Sequence, residues 1–119
     1  ATQYNAVRAD AILRTKTFVF EVLGSLVVGD EQGGHYIVPT TCTVVSITHK
    51  ITSGTSATFR VQKDTTDIDS GIVAGTSVST DSSPTSAALT AGQVLSLDIT
   101  AVSGSPVDIL VQVNTTENI

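Results

Sequence analysis

The chain has 119 residues and a net charge of −5, from six Lys and Arg against eleven Asp and Glu, and only 14% of it is charged. Ser and Thr number 32, Val, Ile and Thr number 44, and there are one Cys and five aromatic residues. These figures exclude a disordered segment, a disulfide-stapled scaffold, a Cys-based zinc site and a membrane-spanning helix, and they argue against sequence-independent nucleic-acid binding as the main task. They point to one soluble all-β domain, since β-branched residues suit a pleated, half-buried surface.

Charge divides the chain at Thr17. Residues 1–17 hold Arg8, Arg14 and Lys16 against Asp10, a sum of +2, whereas residues 18–119 hold three basic and ten acidic residues, a sum of −7. Tyr4, Val7, Ile12 and Leu13 follow neither a period of 2 nor one of 3.6, so 1–17 reads as an N-terminal arm ordered by what it touches. The same stretch is polar where an apolar signal-peptide region would stand, and no signal peptide is expected there.

From Phe18 the pattern is one of short strands. Phe18, Phe20, Val22, Leu26 and Val28 share one parity, and Gly24 among them marks a bulge or a close backbone approach. Residues 29–34 are a turn cluster, Tyr36 to Val38 is a brief run stopped by Pro39, and Val45, Ile47, His49 and Ile51 share a parity in the next run. After a turn at Ser53-Gly54-Thr55, Ala57, Phe59 and Val61 alternate with Thr58, Arg60 and Gln62, the signature of a half-buried strand.

Residues 63–70 read as a polar connection, 71–80 as a weak strand around Gly75, and 81–86 as a loop. Leu95, Leu97 and Ile99 then alternate with Ser96, Asp98 and Thr100. Ser103-Gly104-Ser105-Pro106 turns the chain into Val107, Ile109, Val111 and Val113. Seven or eight strands about ten residues apart predict an antiparallel β-sandwich, of the jelly-roll kind, over 18–113, with 114–119 as a C-terminal tail. The expected core is Phe18, Phe20, Val22, Val45, Ile47, Phe59, Val61, Leu95, Leu97, Ile99, Ile109 and Val111. Apolar residues on both parities in 26–28, 42–45 and 107–113 suggest cover on both faces, and hence a closed homo-oligomer, a dimer or trimer.

Catalytic groups are scarce. His35 reads as a solvated turn residue, and His49 as a hydrogen-bonded histidine of the interior or of a subunit contact. No serine lies in a Gly-x-Ser-x-Gly elbow, so no enzyme and no cofactor are expected. Asp64, Asp67 and Asp69 form a carboxylate-rich stretch of the kind hard cations use. It lacks the central Gly and distal Glu of a calcium loop, so a solvated turn is expected and no metal is assigned. Cys42 reads as a small buried apolar residue.

The stretch Ser53-Gly-Thr-Ser-Ala-Thr-Phe-Arg-Val-Gln-Lys-Asp64 resembles a recurring phrase of tailed-bacteriophage structural proteins. So do Leu89-Thr-Ala-Gly-Gln-Val-Leu-Ser-Leu-Asp-Ile-Thr100 and Ser103-Gly-Ser-Pro-Val-Asp-Ile-Leu-Val-Gln-Val113. Their order and approximate spacing across 18–113 are similar to those of the small jelly-roll decoration (cement) proteins of phage heads, and less specifically to the knob domains of phage fibres. The resemblance implies a structural virion protein, made in the bacterial host cytoplasm, that sits on the capsid exterior as a homotrimer at capsomer junctions and stabilises the shell.

Its N-terminal arm would contact the major capsid protein, with Tyr4, Val7, Arg8, Ile12, Leu13 and Arg14 as the contact residues. No nucleic acid or membrane partner is expected. The alternative is a receptor- or glycan-binding knob of a phage fibre, with His35 and Tyr36 in their Gly-rich setting as the glycan site. The chain ahead of Phe18 has no triple-helical or coiled-coil shaft pattern, which favours the head protein.

Overall fold

The computed structural model describes residues 13–118. Among them are nine strands and no helix: β1 (Leu13–Ser25), β2 (His35–Ile37), β3 (Cys42–Ser53), β4 (Ser56–Lys63), β5 (Thr66–Ala74), β6 (Ser79–Asp81), β7 (Ala88–Leu89), β8 (Val94–Ser103) and β9 (Val107–Asn118). One sheet has the order β1-β9-β3-β6, with the two-residue β7 also on β3; the other has the order β2-β8-β4-β5. Every pairing is antiparallel.

The pairing follows one rule. β1 pairs with β9, β2 with β8, β3 with β6 and β4 with β5, so the chain behaves as one long antiparallel ribbon rolled up on itself. Setting β7 aside as part of the connection to β8, this winding is that of a jelly roll, and the fold is an antiparallel β-sandwich.

The interior lies between the sheets. Phe20, Ile47, Phe59, Val61, Leu95, Leu97 and Val111 are fully buried there, joined by Phe18, Ile99 and Ile109. Val22 packs at the margin of this core. Ile51 and Ala57 continue the alternation of β3 and β4 into the core, whereas Val38, Ile68 and Leu89, also buried, stand in short runs or beside polar neighbours, where alternation gives little signal. A Phe20→Ala or Phe59→Ala change would cost about 3–5 kcal/mol by the cavity it leaves.

Several expectations are corrected. β1 starts at Leu13 and pairs residues 13–17 with 114–118, so the end of the supposed arm and most of the supposed tail form a strand pair. Thr15, Thr17 and Thr116 there carry no apolar period, and it is the backbone ladder that extends the strands. Thr115 tightens the pair by donating its hydroxyl to the Lys16 carbonyl at 2.8 Å.

Val45 is not in the core. The register of β3 on β9 shifts between Val44 and Ser46, which inserts an extra residue. Val44 is therefore buried and Val45 is 43% exposed, while Ile47, His49 and Ile51 point inward again. Val28, expected on the buried parity, is 60% exposed, because the chain has left β1 by then. Residues 63–70 are no mere connection: only Asp64 and Thr65 turn, and β5 begins at Thr66 with Ile68 fully buried.

Gly24 does mark a bulge. The register of β1 on β9 shifts between Val22 and Ser25, and Gly24 has φ +87°, a conformation only glycine adopts without strain. The Asp108 side chain accepts the freed Gly24 N–H at 2.6 Å.

Candidate docking face

Alternation along the strands of the β1-β9-β3-β6 sheet sends most apolar side chains inward and leaves mainly hydroxyls and amides outside, with Val19, Val45 and Leu110 among them. On the outer face Thr15, Thr17 and Val19 of β1 stand opposite Thr116, Asn114 and Gln112 of β9. These face Thr43, Ser46 and Thr48 of β3, and Thr48 in turn faces Thr80 of β6.

The side chains are joined to one another. The Thr17 hydroxyl donates to Asn114 Oδ1 at 3.3 Å. Asn114 Nδ2 donates to Ser46 Oγ at 3.0 Å and to Thr48 Oγ1 at 3.2 Å, and the Thr48 and Thr80 hydroxyls lie 3.1 Å apart. The result is a polar ribbon crossing all four strands, built from the cross-strand Thr and amide pairs that stabilise sheets.

From the row of Val19 to that of Thr15 this face carries no ionisable side chain. Its border is charged: Glu21, Leu110 and Lys50 form the next row. Beside Leu110 and Lys50 lies a shallow hollow of about 110 Å³, lined also by Thr48, Val78 and Gln112. Groups that already satisfy one another lose little when water is removed, so the face can be covered by another protein at low desolvation cost.

The opposite sheet presents a different outer face. Asp98 of β8, expected to alternate outward into solvent, is 2% exposed. The turn segment before β2 folds along the edge of β8, where Gly29 and Ile99 exchange backbone bonds and the Gln32 N–H donates to Leu97 O. Asp98 receives the Glu31 N–H and Arg60 Nε, both at 2.8 Å, and Asp30 stands 3.9 Å from the Arg60 guanidinium. Sequence reasoning missed this cluster, since nothing in a period of 2 says that a turn will fold back over a sheet.

The residues singled out in the sequence are dispersed. Of the proposed capsid contacts, Tyr4, Val7, Arg8 and Ile12 lie outside the described residues, and Leu13 and Arg14 belong to β1, paired with Asn118 and Glu117. His35 begins β2, exposed, with Nε2 3.4 Å from a Glu31 carboxylate oxygen.

Tyr36, the other residue of the alternative glycan site, is only partly open to solvent. Its ring is half-buried, edge-on to Phe20 at a centroid distance of 4.9 Å and 5.9 Å from Phe18, and its hydroxyl donates to the Val19 carbonyl. It thereby ties β2 to β1 across one open side of the sandwich.

Asp64, Asp67 and Asp69 part company. Asp64 accepts the Val94 N–H, Asp67 accepts Gln62 Nε2 on the outer face, and Asp69 turns inward. No group of three metal-ligating side chains occurs among the described residues. Cys42 is buried. His49 is buried edge-on to Phe59 at 5.4 Å, and its Nδ1 has no hydrogen-bond partner. Burial holds its pKa below the usual histidine value, against the opposing pull of Asp81.

No protein-family model matches the chain, and a comparison with curated proteins finds no match.

Proposed function

We propose that the chain is a structural virion protein of the decoration type, which binds the outer surface of a phage capsid at capsomer junctions as a homotrimer and stabilises the shell. The observation that carries this reading is the uncharged stretch of the outer face of the β1-β9-β3-β6 sheet, from the Val19 row to the Thr15 row, on an acidic protein and bordered by the strand into which residues 1–12 lead. Contacts repeated by symmetry multiply through effective concentration, so weak binding at each site suffices. The resemblance of the 53–64, 89–100 and 103–113 phrases supplies the choice of a phage head, and the tie between Tyr36 and β1 weighs against the fibre-knob alternative.

The test is decoration of purified, undecorated shells, read by imaging and co-sedimentation. Removing residues 1–12, which stops short of β1, should leave the melting temperature within a few degrees and abolish shell binding. Thr48→Lys, which places a charge in the Val19 row of the face, should also leave the fold intact and weaken binding at least tenfold. Full binding by both variants would refute the reading.

A further inference from the structure

The side of the sandwich opposite Tyr36 is closed by β5 of one sheet and β6 of the other. Asp69 of β5 stands opposite Val61, is 9% exposed, and takes the Ser70 N–H on Oδ1 at 2.9 Å. Its Oδ2 is buried and receives no N–H or O–H from the protein. The group within hydrogen-bonding reach of this side chain is the carboxyl of Asp81 on β6, opposite Ile47, whose Oδ1 takes the Ser83 N–H at 3.2 Å. A buried carboxylate such as Asp69 does not readily ionise beside a second, half-buried one; a proton between them supplies the missing bond.

We propose that Asp69 and Asp81 share one proton, and that this acid pair latches β5 to β6 and holds the 82–87 connection against the sandwich. The connection is anchored at the same place, since the Thr85 and Ser86 N–H groups both donate to Ile68 O, at 2.9 and 3.0 Å. Above the pH at which the shared proton leaves, two negative charges face each other across the seam and the connection loosens.

Burial, with the bond to Asp81 acting in the same direction, pushes Asp69 up to about 6. An unfolded aspartate titrates near 4. The folded protein therefore binds more protons between these values. The latch contributes fully below about pH 4 and is lost as pH rises through about 6.

The surroundings add one opposing group. From β3, His49 faces the pair, and because burial lowers its pKa it contributes stability that grows as pH rises through the usual histidine range. β4 presents Phe59 and Val61 to the interior, with Arg60 turned outward to Asp98. Asp67 on β5 faces Gln62 on the outer side, and Lys50 of β3 is exposed on the other sheet.

Comparison with Asp69→Asn isolates the pair, because the amide donates permanently to Asp81. Thermal melts of the full chain from pH 4.5 to 7.5, with EDTA present, should show the wild-type melting temperature falling by several degrees relative to Asp69→Asn. Amide exchange in 82–87 should accelerate over the same range in the wild type alone. Carboxyl ¹³C NMR of the wild type gives a reading that needs no variant: one of the two aspartates should titrate near 6. Titration of both near 4, or a difference between the proteins that does not change with pH, overturns the proposal. So does stabilisation of the wild type alone by added Ca²⁺ at pH 7, which would put a cation where the proton is placed.

Discussion

Arg60 Nε on β4 donates to the Asp98 carboxylate on β8 at 2.8 Å, and the two are asymmetric: the Asp98 side chain is 3% exposed, that of Arg60 34%. Truncating one partner is therefore not equivalent to truncating the other. Arg60→Ala leaves a buried carboxylate with only the Glu31 N–H, whereas Asp98→Ala lets the guanidinium swing into water, so the first should destabilise the fold more than the second. Denaturant melts of the two single variants measure the difference. Equal losses would mean that Asp98 is better solvated than its burial implies.

Tyr36 separates packing from hydrogen bonding. Tyr36→Phe keeps the edge contact with Phe20 and loses only the bond to Val19 O, at about 1 kcal/mol; Tyr36→Ala also opens the end of the core, at about 2–3 kcal/mol. Near-neutral Tyr36→Ala, combined with loss of binding on a glycan array, would restore Tyr36 as a ligand platform.

The bulge in β3 predicts opposite outcomes for neighbouring valines. Val44→Ala removes two buried methyl groups and should cost about 2 kcal/mol, while Val45→Ala on the outer face should change stability by less than about 0.5 kcal/mol. Val45→Ala should register instead in shell binding. Equal melting temperatures for the two would remove the bulge.

Two turns give changes of opposite sign. Thr65, a β-branched residue, is held at φ +80° in the Asp64-Thr65 turn between β4 and β5, and Thr65→Gly supplies the Asp-Gly pair such hairpins prefer. It should raise stability by about 1 kcal/mol. Gly54, at φ +98°, has the Pro106 Cα only 2.5 Å from where a Cβ would sit, so Gly54→Ala should lower stability by about 2 kcal/mol or more. Thermal melts of each decide.

What the sequence revealed follows from where side chains obey a simple period. β4 is legible residue by residue, since Ala57, Phe59 and Val61 alternate with polar neighbours and are all buried. The jelly roll follows from the spacing of such runs. The first half of β5 is hidden because its edge position lets Thr66, Asp67 and Ser70 stand where apolar residues would mark a strand, while its second half lies in the weak strand read over 71–80. Val45 was misplaced because a one-residue bulge inverts parity and leaves no trace in composition. The hydroxyl ribbon was present as threonine content, but only register brings Thr17, Asn114, Thr48 and Thr80 side by side.

The rolled ribbon also sets the order of events during synthesis. The Lys16 carbonyl waits for a hydroxyl 99 residues further along the chain, and among the described residues β1, thirteen residues long, has no sheet neighbour but β9. At ribosomal rates of about 5–20 residues per second, the first strand spends roughly 5–20 s exposed before the last can reach it. Such non-local closure makes for slow folding and leaves Phe18 and Phe20 open to wrong partners meanwhile. Yield from the cell should therefore respond to growth temperature and chaperone supply more steeply than the stability of the finished sandwich would suggest.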